Sequence, residues 1–137
     1  MDVFGLSQKL VEGSAALFPT DTLPALAANP EYASQLWEIK QRPADKPLIL
    51  MGSNQKELFE FVAADALGDA QLMARRFWPG ALTMVLPARG SLVNNLNPGK
   101  LNIGIRIPSC DVALALLAKT GPLATTSANL SGKNPCM

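Results

Sequence analysis

No apolar run in this chain gets far before a proline or glycine cuts it, and that punctuation limits what it can fold into. Eleven prolines and ten glycines are spread along 137 residues. They leave apolar pieces at residues 15–18, 23–28, 47–51, 81–86, 101–107 and 123–125. Each has the length of a short strand, and none reaches the 18 or so residues of a membrane-spanning helix. Helical spacing fills the gaps. Val3, Phe4, Leu6, Leu10 and Val11 form one stripe, with Asp2 at its start and Gly13 as its stop. Tyr32, Leu36, Trp37 and Ile39 form another, opened by Asn29-Pro30. Further helices are predicted over 54–64 behind a Ser53 cap, from an Asp69 cap to Phe77, and from Pro108-Ser109 to Gly121. Residues 90–100 read as loop. Strands and helices alternate without a strict βαβ rhythm, which predicts a single α/β domain with a twisted mixed sheet flanked by helices.

Several functional classes drop out. The chain has no histidine, which removes Ser-His-Asp and Cys-His catalysis and His-ligated zinc. Cys110 and Cys136 are widely separated and match no metal or disulfide spacing. The N-terminal stretch MDVFGLSQKL lacks a basic region followed by an apolar one, so no secretory signal is read. Together these point to a soluble, cytoplasmic protein of a reducing compartment, with no membrane partner.

The net charge is +1, but the charges are segregated. Residues 57–69 carry Glu57, Glu60, Asp65 and Asp69 with no cation. Residues 70–110 carry Arg75, Arg76, Arg89, Lys100 and Arg106 with no acid. Any one of these is well explained as a solvated surface charge. As a group, with Lys40, Arg42 and Lys46, they suit a positive cavity that attracts phosphates or RNA.

Three stretches are candidates for one anion-binding site. In WEIKQRPADKPLIL, Lys40 and Arg42 precede the helix stop Pro43, and Lys46 precedes a strand. Lys40 alone is also explained as a cation at a helix C-terminus. Arg42 and Lys46 lie beyond that turn and are explained less well. Pro19-Thr20-Asp21-Thr22 follows a strand end, where α/β folds place ligands, although a Ser/Thr turn accounts for it equally well. Residues 125–132, TTSANLSG, offer hydroxyls, an amide and a turn at Ser131-Gly132 whose backbone N–H groups suit an anion. Lysine supplies a mobile point charge and arginine a planar fork for phosphate oxygens. Neither GxxxxGK[ST] nor GxGxxG occurs, so a bound nucleotide would be held by side-chain cations and polar loops.

KQRPADKPL, FWPGALTMVLPA, GIRIP and TSANLSG, in this order and with PTDT before them, resemble the YrdC-like threonylcarbamoyl-adenylate synthases. The resemblance implies a YrdC-like domain over residues 1–137 with a deep, basic concave cavity. It implies nucleotidyl transfer: L-threonine, bicarbonate and ATP give threonylcarbamoyl-AMP and pyrophosphate. A tRNA threonylcarbamoyl-transfer complex then modifies tRNA. By the motif matches, Lys40, Arg42, Ser127 and Asn129 bind ATP, with Lys40 and Arg42 catalytic. Thr22 and Arg106 place threonine, Arg106 at its carboxylate, and Lys46 is a weaker candidate. Mg²⁺ accompanies ATP, and no protein-ligated metal site is expected.

Two departures from the family pattern stand out. After PTDT the family often has an aromatic residue and a glycine, whereas this chain has Leu23-Pro24-Ala25. Pro24 removes a backbone donor and Ala25 disfavours positive φ, so a loop of different shape is expected. Family members also usually continue beyond the point where this sequence stops. The domain is therefore expected to be C-terminally incomplete, with a partly open cavity and either an exposed sheet edge or a compensating homodimer. The alternative from another class is an RNA-binding module of the same fold without catalytic activity. The acid-free segment suits phosphate contacts, but aromatics make up only 6% of the chain, which does not support base stacking.

Overall fold

The computed structural model describes residues 2–40 and 46–128. Among them, six strands form one mixed sheet. They are β1 (Ala16–Phe18), β2 (Ala25–Ala28), β3 (Ile49–Met51), β4 (Met84–Pro87), β5 (Asn102–Arg106) and β6 (Leu123–Ser127), in the spatial order β1-β2-β6-β3-β5-β4. The β3–β5 pair is parallel, and every other neighbour is antiparallel.

Six α-helices accompany the sheet: α1 (Val3–Val11), α2 (Ser34–Lys40), α3 (Gln55–Phe59), α4 (Leu67–Phe77), α5 (Val93–Leu96) and α6 (Asp111–Thr120). They cover both faces. Leu10 of α1 and Ala113, Leu116 and Leu117 of α6 pack with Ala25, Ala27, Met51 and Leu123 on one face. Leu36 of α2, Leu58 of α3, Ala70 and Ala74 of α4, and Val93 and Leu96 of α5 pack with Leu50, Ile103, Ile105 and Ala124 on the other. Each of the fully buried leucines contributes about 1.5–3 kcal/mol relative to exposure. β2 is covered on both sides, which is why Ala25–Ala28 is an unbroken apolar run without alternation.

Caps follow the local chemistry, with corrections. Asp2 caps α1 by accepting from Gly5 N–H at 2.8 Å. Asn29 caps a 3₁₀ turn, Pro30–Tyr32, and α2 begins only at Ser34. The cap of α3 is Asn54 and not Ser53, because Asn54 reaches the Glu57 N–H at 2.9 Å. That helix ends at Phe59, and a separate 3₁₀ turn spans Ala64–Ala66. α4 starts at Leu67, so Asp69 lies in its first turn and favours it through the helix dipole instead of capping it. The expected loop at 90–100 contains α5, a short helix pinned by buried Val93 and Leu96. α6 ends at Gly121, whose φ of +77° favours glycine. Cys110 is disulfide-bonded, which the cysteine spacing had not suggested. None of the described helices is long and apolar enough to cross a membrane.

Candidate functional site

Strand register builds the floor of the site. Successive residues of a strand face opposite sides, so Ile103 and Ile105 enter the core while Gly104 and Arg106 face the side of α1 and α6. Pairing aligns Ala27, Thr125, Ile49, Gly104 and Val85 in one row across five strands. Leu123, Met51 and Arg106 form the next row, and Ala25 and Ser127 pair on the other side. On this face lies a cleft of about 290 Å³. Its wall includes Thr22 to Ala25, Pro47, Ile49, Met51, Thr83, Arg106 and Thr125 to Ser127.

Arg106 is the charged group of the described wall. It ends β5 and is only 7% exposed. Nε donates to the Gly80 carbonyl at 2.8 Å, Nη1 to Thr22 Oγ1 at 2.9 Å and Nη2 to Asp21 Oδ1 at 2.5 Å. Gly80 is itself docked on the strand end, its N–H donating to Ile107 O at 2.8 Å. Burial lowers the Arg106 pKa from its ordinary value, and the charge and hydrogen bond of Asp21 act against that. Arginine ionises so far above neutrality that the group stays a cation.

The PTDT loop is held by its own hydroxyls. Thr20, fully buried, donates to Leu23 O at 2.7 Å and accepts from Thr22 N–H at 3.1 Å. Its single proton is committed to Leu23, so in the 3.2 Å contact between the two hydroxyls Thr22 is the donor. Thr22 Oγ1 then accepts from Arg106. The Ser/Thr turn is therefore formed, and its residues Thr22 and Leu23 are part of the cleft wall. Beyond the turn, Pro24 offers its carbonyl to Ala128 N–H at 2.8 Å, extending the β2–β6 ladder along the cleft. The loop thus accommodates Pro24 without the donor it lacks.

Hydroxyls from β6 complete this side. Thr125, 3% exposed, donates to Ile49 O at 3.0 Å and so braces the floor. Ser127 lies at the exposed end of the strand, inside the cleft wall. Ahead of β3, Trp37 of α2 donates Nε1–H to Lys46 O at 2.8 Å, fixing the chain just before Pro47.

The structure brings together Thr22, Arg106 and Ser127, three of the predicted site residues. Lys40 is half-buried in the last turn of α2 and Lys46 is exposed; neither is part of the described wall. Arg42 and Asn129, with Ser131 and Gly132, lie outside the described residues. Among the described residues the wall holds one cation, Arg106, and it is paired with Asp21. Sequence reasoning missed Asp21 and Gly80 as the holders of Arg106. Asp21 stood inside the quoted PTDT motif, but nothing local identified a partner 85 positions away. Among the described residues no three His, Cys, Asp or Glu side chains converge, so a divalent ion is not supplied with a ready cage by this part of the protein.

Comparison with known proteins places this geometry. The family model for Sua5, YciO and YrdC, described as "Telomere recombination", matches residues 8–137. A threonylcarbamoyl-AMP synthase of Bacillus subtilis is 39% identical over 129 residues, covering 90% of this chain and 37% of that protein. One of Idiomarina loihiensis is 32% identical over 139 residues, covering 98% of this chain and 75% of that protein. The crystal structure of Pyrococcus abyssi Sua5 complexed with L-threonine superposes with a TM-score of 0.87 at 33% identity, over 96% of this chain and 39% of that one. The chain thus spans well under half the length of two of these three relatives.

Proposed function

This chain belongs to the Sua5/YciO/YrdC family, and from that premise we propose that it makes L-threonylcarbamoyladenylate from L-threonine, bicarbonate and ATP, releasing pyrophosphate, to supply a complex that modifies tRNA. The observation that carries the proposal is the buried guanidinium of Arg106, fixed beside Thr22 in a hydroxyl-lined cleft. An anchored arginine fork suits a carboxylate, and the cleft is of a size for a small amino acid with part of a nucleotide. Arg106 and Thr22 would take the threonine carboxylate. Ser127, at the exposed end of β6, would meet the ATP side, with Asn129 after it. Lys40 and Arg42 would reach the phosphates.

The chemistry asks for positioning and charge stabilisation and for no covalent nucleophile. The threonine nitrogen forms a bond to the bicarbonate carbon and water leaves, giving a carbamate. A carbamate oxygen then attacks the α-phosphorus and the bond to pyrophosphate breaks. Negative charge grows on phosphoryl oxygens and on the leaving group, where fixed cations stabilise the transition state more than the ground state. A magnesium ion would enter with the triphosphate, held by its oxygens. Holding the amine beside bicarbonate and the resulting carbamate beside the α-phosphate supplies the remaining advantage as proximity.

Pyrophosphate release with all three substrates, and with each omitted in turn, tests the assignment. Release that needs threonine, bicarbonate and ATP together is expected. ATP turnover indifferent to threonine overturns it, as does steeply salt-dependent RNA binding without turnover, which is the signature of a purely RNA-binding domain.

A further inference from the structure

Three groups from two stretches of chain hold Arg106, and one of them does so with charge. Gly80 offers a carbonyl and Thr22 a hydroxyl, whereas Asp21 offers a carboxylate. The Asp21 side chain is only 17% exposed and that of Arg106 only 9%, so water screens this pair little. A guanidinium carries five N–H groups, and the three bonds to described residues leave two of them on the terminal nitrogens. Arg106 and Thr22 belong to the wall of the cleft; Asp21 does not belong to the described wall. The carboxylate therefore grips the guanidinium without occupying the space where a ligand would sit.

We propose that Asp21 is a positioning residue for amino-acid recognition: it acts through Arg106, holding the fork so that its remaining donors meet the incoming α-carboxylate. This rests on the assignment of Arg106 to the threonine carboxylate. Two features make Asp21 the decisive holder. Asp21 is the one of the three acceptors that carries a full negative charge, and an ion pair with so little solvent around it is stronger than a bond from the same cation to a neutral hydroxyl or carbonyl, so the bond to Asp21 outweighs those to Thr22 or Gly80. Asp21 also sits one residue before Thr22, so the same short loop sets both the direction of the guanidinium and the hydroxyl beside it. A long side chain left with only neutral acceptors would sample other rotamers, and binding would then have to order it.

Calorimetric titration of the full chain with L-threonine, and separately with ATP, tests this in Asp21→Asn and Asp21→Ala. Asn keeps the shape and one acceptor oxygen but loses the charge. The threonine Kd is expected to rise about tenfold in Asp21→Asn and further in Asp21→Ala, since the acceptor first loses its charge and then disappears. The ATP Kd should stay within about twofold, because Asp21 acts on the amino-acid side alone. Equal loss of both affinities would mark a general structural role and overturn the inference. So would threonine affinity unchanged in Asp21→Asn, which also decides the matter if Asp21→Ala fails to fold. Wild-type chain that does not bind threonine overturns the functional assignment itself.

Discussion

The side chain of Ile49 lies over the point where Gly104 has none: a Cβ at Gly104 would stand 2.7 Å from Ile49 Cδ1. The two residues are partners in the parallel β3–β5 pair, and Ile49 lines the cleft. The glycine therefore keeps the floor low by letting its neighbour lie flat.

Gly104→Val should lift Ile49 and crowd the cleft. Overpacking of this kind costs about 1–3 kcal/mol, read as a lower denaturant midpoint. Adding Ile49→Ala should restore part of that loss, because the clash is with the end of one flexible side chain. Strictly additive effects of the two changes would show that the contact does not matter.

Arg106→Met should destabilise the fold by about 3 kcal/mol, the lower end for orphaning a buried charge, because Asp21 keeps some access to solvent. Asp21→Asn in the same chain should recover part of that loss, since no unpaired carboxylate then remains. Chemical denaturation of the two single variants and the double variant checks the sign of the coupling.

Thr125 and Ser127 are two residues apart on one strand and should fail differently. Thr125 is buried and bonds the Ile49 carbonyl, so Thr125→Val should cost about 1 kcal/mol of stability. Ser127 is exposed and lines the cleft. Ser127→Ala should leave the melting temperature unchanged and raise the KM for ATP. Thermal melts beside steady-state kinetics separate the two outcomes.

Lys40→Ala and Arg42→Ala should each lower pyrophosphate release by about 100-fold or more if the cations meet transition-state charge. Lys40 ends a short helix, and its loss from that position costs at most about 1 kcal/mol in dipole interaction. Full activity in both variants would remove them from the chemistry.

The sheet was legible because proline and glycine mark its strands, and five of the six apolar pieces overlap a strand by most of their length. The piece at residues 81–86 ran early, since β4 begins at Met84. Helix starts were less legible. Ser53 and Asn54 are both good caps, and only backbone geometry chose between them. In the site, motif resemblance assigned Thr22 and Arg106 to one ligand, and the structure places them side by side, joined by a hydrogen bond. The Asp21 contact was not anticipated, because it depends on how far a loop after the first strand reaches toward the end of the fifth. A one-dimensional pattern contains no such distance.

The alternation along β5 has an evolutionary corollary. Ile103 and Ile105 are completely buried on one side, while Gly104 and Arg106 serve the other. Deleting a single residue upstream in that strand would exchange the two sets, driving a guanidinium among the isoleucines' former neighbours and turning aliphatic groups toward the cleft. Descendants of this sequence can therefore vary β5 by substitution far more readily than by changing its length.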